Sequence, residues 1–211
     1  MLENGFEVLA TSRSDESHEV FLPYKWQNPE NNLLSFQRLD LNKDQEKFGD
    51  LLKLFEPNYI VSFAAQSMVA QSWNQPSDWL QTNVNALTSV IELVKNYEKL
   101  EKFVQVTTPE VYGSTSKVMS EKFTFNPSTP YAVSRAAGDM MLKVFQENYG
   151  LPVVFTRAAN VYGPGQQLYR IIPRVILACM TNKKFTLDGG GFSKRSFVHI
   201  QDVCSATLSI A

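Results

Sequence analysis

The chain has 211 residues, enough for one large domain or one and a half small ones with a real hydrophobic core. It is 44% hydrophobic and 19% charged with a formal net charge of −1, which excludes the basic field that draws in nucleic acid or an anionic membrane. No apolar run is long enough to span a bilayer and the N-terminus lacks a signal-peptide core, so the composition reads as a cytoplasmic protein that meets neither membrane nor nucleic acid. Cys179 and Cys204 lie far apart without CxxC spacing and are expected to be reduced, mostly buried thiols. His18 and His199 are isolated, so no metal site can be assembled from them.

Short β-branched runs alternate with helix-period segments, the pattern of a parallel sheet covered by helices. The first readable strand is 6–10 and the second is 34–39, ending at Asp40. A helix is expected over 44–56, where Phe48, Leu51, Leu52 and Phe55 recur at i, i+3, i+4 and i+7, and Pro57 stops it. The run 59–63 reads as the next strand. A long helix is expected over 79–97, with Leu80, Val84, Leu87, Ile91 and Val94 on one face. A strand over 102–106 leads into a polar loop that reaches Pro130. The helix over 131–149 ends at Gly150, a residue suited to a left-handed cap, and 153–156 is the following strand. No internal repeat or flexible linker interrupts this order. Residues 1–5 read as the last turn of a helix closed by Gly5, and 202–211 opens a helix that stops in mid-pattern. Both ends therefore read as those of a fragment.

Tyr131 and Arg135 head the helix over 131–149 and share a face. A phenol titrates at about pH 10 in water, and a fixed neighbouring cation stabilises its anion. Such a pair can take a proton from a sugar hydroxyl while hydride leaves the same carbon. Upstream lies Thr107-Thr108-Pro109-Glu110-Val111-Tyr112-Gly113, and Pro127-Ser128-Thr129-Pro130 leads into the Tyr-x-x-x-Arg segment. Downstream lies Arg157-Ala158-Ala159-Asn160-Val161-Tyr162-Gly163-Pro164-Gly165. Together with 63–67, Thr82-Asn83, 171–173 and 191–203, these strings resemble, in order and spacing, the sugar-nucleotide epimerases and dehydratases of the extended short-chain dehydrogenase/reductase family.

The resemblance implies an α/β fold, a Rossmann-type doubly wound parallel sheet whose first strand and glycine-rich loop are missing, plus the start of a small substrate-binding region. It divides the chain into 1–163 for the dinucleotide and 164–211 for the substrate. It implies that Thr108 hydrogen-bonds the sugar 4-hydroxyl, that Tyr131 is the base that deprotonates it, and that position 135 holds the nicotinamide ribose. The family has Lys at that position. Arg135 keeps a permanent charge, but its planar head is not a drop-in ammonium. Glu110 points to the 4,6-dehydratases, in which a carboxylate here removes the C5 proton before water leaves from C6. Pro109 stands where the glucose-type dehydratases have an Asp, which brings the chain nearer to the GDP-mannose 4,6-dehydratase branch.

Cofactor choice is read at the end of the first strand, where an acid would hold a ribose 2′-hydroxyl and an Arg a 2′-phosphate. Thr11-Ser12-Arg13-Ser14 offers no acid, so Arg13 favours NADP, with NAD possible. The resemblance adds Asp40 and Leu41 at the adenine, and Ala64, Ala65, Gln66 and Thr107 on the pyrophosphate and nicotinamide side. It also adds Asn160 and Arg195 for the nucleotide-diphospho-sugar. Arg170 and Arg174 are expected in helix-face salt bridges. Gly189-Gly190-Gly191 falls too late to be the phosphate loop, between two expected short strands. Weak dinucleotide binding and poorly cooperative folding are expected of this chain, and protection of the 59–63 amides from hydrogen exchange would contradict that. The favoured reading is NADP-dependent 4,6-dehydration of a nucleotide-diphospho-hexose by an enzyme that is a homodimer through helices 79–97 and 131–149 when full length. A nucleotide-sugar 4-epimerase and a non-catalytic NAD(P)-binding protein are the alternatives.

Overall fold

The computed structural model describes residues 1–27, 32–115, 118–192 and 194–211; Ser193 of the 191–203 stretch lies outside the described residues. All strand ladders among them are parallel. Strand β1 (Val8–Ser12) pairs with β2 (Leu34–Arg38), setting Val8 opposite Leu34 and Ser12 opposite Arg38. A second sheet has the order β3 (Tyr59–Ser62), β4 (Lys102–Val106), β5 (Val153–Thr156). Strand β4 is central and its Phe103 and Val104 are fully buried, as expected of a parallel strand covered on both faces. This is the Rossmann-type, doubly wound α/β architecture. A short pair, β6 (Val161–Tyr162) with β7 (Val198–His199), lies in the C-terminal part.

Among the described residues, β1 and β3 share no ladder, so the parallel sheet falls into two parts. Phe6 bridges them, its ring meeting that of Tyr59 edge-on at 6.1 Å between centroids. The first strand begins two residues later than its apolar pattern suggests, because the left-handed Gly5 (φ 77) closes a short turn over Leu2–Asn4 before it.

The core lies between the three-stranded sheet and helices α2 (Gln45–Phe55), α4 (Leu87–Val94) and α5 (Pro130–Tyr149). Leu52, Leu87, Val90, Ile91, Phe103, Leu142 and Val153 form its centre. Each such side chain contributes about 1.5–3 kcal/mol by leaving water. Helix α2 ends where Glu56 turns left-handed (φ 50), because a proline follows and disfavours helical backbone at the residue before it. Gly150 (φ 69) caps α5, its N–H donating to the Gln146 carbonyl at 3.1 Å. Two short helices, α1 (Pro23–Gln27) and α3 (Pro76–Leu80), precede these, and α6 (Ile171–Met180) and α7 (Ile200–Ile210) follow.

Several expectations are corrected. The segment expected as one helix over 79–97 is α3, then a π-helical stretch over Gln81–Ala86, then α4. The wider turn shifts the inward face, so Trp79 and Asn83 are buried while Leu80 is 44% exposed. Both cysteines are exposed rather than buried, Cys179 because α6 buries none of its residues and Cys204 on the outer face of α7. The glycines at 189–191 sit in a 3-10 turn (Asp188–Gly191) between α6 and β7, not between two strands. Arg170 and Arg174 make cation–π contacts with Tyr169 and Phe185, at 5.2 and 5.1 Å, and among the described residues neither makes the expected salt bridge.

Candidate active site

The carboxyl ends of all five parallel strands of the two main sheets carry residues singled out in the sequence, and in open α/β sheets that edge is where ligands bind. At the end of β4 the chain runs through Thr107 and Thr108, both buried, into a 3-10 turn over Pro109–Tyr112. Thr108 caps the turn: its backbone is extended and its hydroxyl accepts from the Glu110 N–H at 3.2 Å. Gly113 (φ 73) then lets the loop fold back, since a Cβ there would lie 2.2 Å from the Asn126 carbonyl oxygen.

Helix α5 brings Tyr131 to this turn. Thr129 caps the helix by accepting from the Ala132 N–H at 3.1 Å, Pro130 fills its first position, and the Tyr131 N–H donates to Ser72 Oγ at 3.2 Å. The Tyr131 phenol lies beside the Thr108 side chain and within the electrostatic reach of Arg135, Glu110 and Asp139. Burial raises its pKa above the ordinary phenol value, Arg135 and the Thr108 side chain lower it, and the two carboxylates raise it again. A phenol raised in the folded state supports stability below about pH 10, and that support is lost as pH climbs through the folded value.

Arg135 is 3% exposed. One of its terminal N–H groups donates to the Val106 carbonyl at the end of β4, and its Nε has no partner. Burial lowers its pKa, opposed by Tyr131 and Asp139. The structure thus brings Thr108, Glu110, Tyr131 and Arg135 together, with the guanidinium anchored to the strand end.

Asn83 is a site residue whose role the sequence pattern did not assign. From the π-helical stretch, its side-chain oxygen accepts from the Gln66 N–H at 2.8 Å. Its amide donates to the Gln66 carbonyl at 3.0 Å and to Ser134 Oγ at 2.9 Å, and Ser134 in turn donates to the Tyr131 carbonyl at 2.7 Å. One buried amide therefore joins the turn after β3 to the helix that carries Tyr131. An Asn amid an apolar helical stripe was the available signal.

The other expected contacts are more dispersed. Ala64 is exposed and Ala65 and Gln66 are half-buried at the end of β3. Asp40 accepts from the Asn42 N–H at 3.0 Å, and Asn42 donates to Thr82 at 3.2 Å, which links that turn to the π-helical stretch. Leu41 packs against the hydrophobic core. Asn160 has a left-handed backbone (φ 41) and its amide donates to the Ser196 carbonyl at 2.7 Å, holding the approach to β7. Arg195 and Arg13 are exposed, and the Arg13 carbonyl accepts from Arg38 Nε at 3.1 Å.

A family model described as GDP-mannose 4,6 dehydratase matches residues 1–211. The chain is 35% identical over 181 residues to human dTDP-D-glucose 4,6-dehydratase, covering 80% of this chain and 51% of that protein. The chain belongs to the NAD-dependent sugar-nucleotide epimerases and dehydratases of the extended short-chain dehydrogenase type. Among solved members, the dTDP-glucose 4,6-dehydratase from Bacillus anthracis in complex with NAD superposes with a TM-score of 0.83 at 30% identity, covering 98% of this chain and 63% of that one. The UDP-glucuronic acid 4-epimerase from Bacillus cereus, in complex with UDP-glucuronic acid and NAD, does so with a TM-score of 0.83 at 26% identity, covering 98% and 65%. The chain spans about half the length of the curated relatives it matches, 40% and 51% of the Dictyostelium discoideum and human dTDP-D-glucose 4,6-dehydratases. The family names span the GDP-mannose, dTDP-glucose and UDP-glucose dehydratases.

These relatives correct the cofactor. Dehydratases and epimerases of the family are solved with NAD, which overturns the expectation of NADP. The charge of Arg13 was the basis for NADP; its side chain is exposed, and the nearby Arg38 pairs with Asp15 at 3.4 Å. The small side chains of Ala64 and Ala65 after β3, and the Gln66 backbone that Asn83 ties to α5, are compatible with a dinucleotide at this edge.

Proposed function

We propose that this chain carries the chemistry of a 4,6-dehydratase acting on a nucleotide-diphospho-hexose with NAD, giving a 4-keto-6-deoxy sugar nucleotide. The observation that carries the reading is the convergence of Thr108, Glu110 and Tyr131, two groups suited to the 4-hydroxyl and one carboxylate beside them. Bound NAD would supply the hydride acceptor for C4 and the hydride that C6 takes up once water has left. Tyr131 takes the 4-hydroxyl proton, and Thr108 orients that oxygen. Oxidation at C4 acidifies the C5 proton, and Glu110 is the base that removes it and passes it to the C6 hydroxyl, which leaves as water; the proton taken by Tyr131 then balances the one C5 regains as C6 takes up the hydride. Arg135 stabilises the Tyr131 phenolate, while Ala64, Ala65, Gln66 and Thr107 border the nicotinamide side and Asp40 and Leu41 the adenine side. Asn160 and Arg195 take the sugar and the diphosphate, whose paired oxygens suit a guanidinium fork. In this reading residues 1–163 serve the dinucleotide and 164–211 begin the substrate region. The exposed Val133, Met140 and Val144 on one stripe of α5, with Leu80, support a homodimer through these helices.

The superposition on a 4-epimerase, as good as that on a dehydratase, favours a second reading, 4-epimerisation, in which Glu110 is incidental. Either reaction begins with Tyr131, so Tyr131→Phe is expected to lower turnover about a thousandfold. Binding of the nucleotide sugar, followed by calorimetry, should change little. Unchanged nicotinamide reduction by Tyr131→Phe would remove the phenol from the chemistry.

A further inference from the structure

Tyr131, Arg135 and Asp139 are spaced i, i+4, i+8 on α5, and the third of them has no place in the chemistry above. Asp139 is fully buried. One of its oxygens accepts from Thr107 Oγ1 at 3.0 Å and from an Arg157 terminal nitrogen at 2.9 Å, while the other has no partner. Arg157 comes from the chain just after β5, and its guanidinium lies 5.3–5.6 Å from the ring centres of Tyr112, Phe123, Phe125 and Phe155. Three of those rings belong to the loop that begins with Glu110. One buried carboxylate is thus fixed by the end of β4, by the chain after β5 and, through Arg157, by the Glu110 loop.

We propose that Asp139 is a positioning residue for the Tyr131–Arg135 pair, clamped by Arg157, and that the aromatic cage around Arg157 ties this pair to the loop carrying Glu110. A buried cation placed between a phenol and a carboxylate is drawn to both. An anchored carboxylate one turn along the helix therefore fixes where Arg135 rests and how strongly it acts on Tyr131. A cage of four rings suits a planar guanidinium, which stacks while still donating to the carboxylate. The inference uses the assignment of Tyr131 as base only to say why its ionisation matters.

The groups facing the Tyr131 phenol are Arg135 and Asp139 from its own helix and Thr108 and Glu110 from the turn after β4. Asp139 raises the phenol pKa, so removing its charge lowers it. The test is an ultraviolet tyrosinate titration of the full chain, with the Tyr131 signal taken as the difference from the matching Tyr131→Phe protein. Asp139→Asn is expected to move the midpoint to lower pH and Asp139→Glu to restore it. Arg157→Gln is expected to move it to higher pH, because the carboxylate then acts unopposed. Loss of packing alone exposes the phenol and moves every midpoint down, so the upward move separates positioning from a structural role. If Asp139→Asn unfolds, the isosteric Thr107→Val takes its place, with an upward move expected. A midpoint unmoved in the folded variants, or shifted the same way by Asp139→Asn and Arg157→Gln, would overturn the proposal. Midpoints that move as stated in a protein that never reduces NAD would leave this inference standing and remove the dehydratase reading.

Discussion

Replacing Glu110 by Gln is expected to lower dehydration about 10²–10⁴-fold while leaving nucleotide-sugar binding within a few-fold of the parent. The substitution keeps size and hydrogen-bonding capacity and removes only the basic lone pair. The turn should survive, because its cap joins the Thr108 hydroxyl to the backbone N–H of residue 110, not to its side chain. Glu110 also raises the Tyr131 pKa, so the variant should ionise its phenol at lower pH. A dehydratase therefore loses the C5 step while the preceding oxidation at C4 persists, and the transient 4-keto sugar accumulates. If the chain is a 4-epimerase, Glu110→Gln leaves turnover nearly intact. Steady-state kinetics with a matched binding titration distinguish the two.

The second large effect is expected at Asn83. Asn83→Ala removes three hydrogen bonds at once and strands the Gln66 N–H and carbonyl in a half-buried turn. Leaving buried polar groups unmatched costs about 1–3 kcal/mol each, so a loss of about 3 kcal/mol is expected. For a chain of this size that corresponds to a fall of about 6–12 °C in melting temperature. The effect should be shared by Gly138→Ala, since a Cβ on Gly138 would lie 2.7 Å from the Asn83 carbonyl oxygen and 3.0 Å from Leu87 Cδ2. That glycine is what allows α5 to approach the π-helical stretch. Thermal melts of the two variants check this, and a melting point unchanged in Asn83→Ala would show that the amide is not the joint between the two elements.

These effects explain which parts of the molecule were legible in the sequence. The strands over 59–62, 102–106 and 153–156 were readable from short β-branched and aromatic runs, and 34–38 from Leu34 and Phe36 alternating with polar residues. Helix α5 was readable from end to end, with a proline at its start and a glycine cap at its close. The π-helical stretch was not, because a pattern search at the α-helical period assumes one spacing throughout. One widened turn carried Leu80 outward and Asn83 inward. Thr108, Glu110, Tyr131 and Arg135 could be named from motifs that resemble the family, and a strand end and a helix start bring them together. Asp139 and Arg157 could not, because their pairing depends on how α5 crosses the end of β5, which neither local segment encodes. The NADP expectation rested on the charge of Arg13 alone, and the relatives solved with NAD overturn it.

The most direct measurement is mass spectrometry of the sugar nucleotide after incubation of the protein with NAD and, in turn, dTDP-glucose, UDP-glucose and GDP-mannose. A 4,6-dehydratase gives a product lighter than its substrate by one water, formed by the parent protein and lost in Glu110→Gln. A product of unchanged mass with altered stereochemistry at C4 would contradict dehydration and establish the epimerase reading in its place.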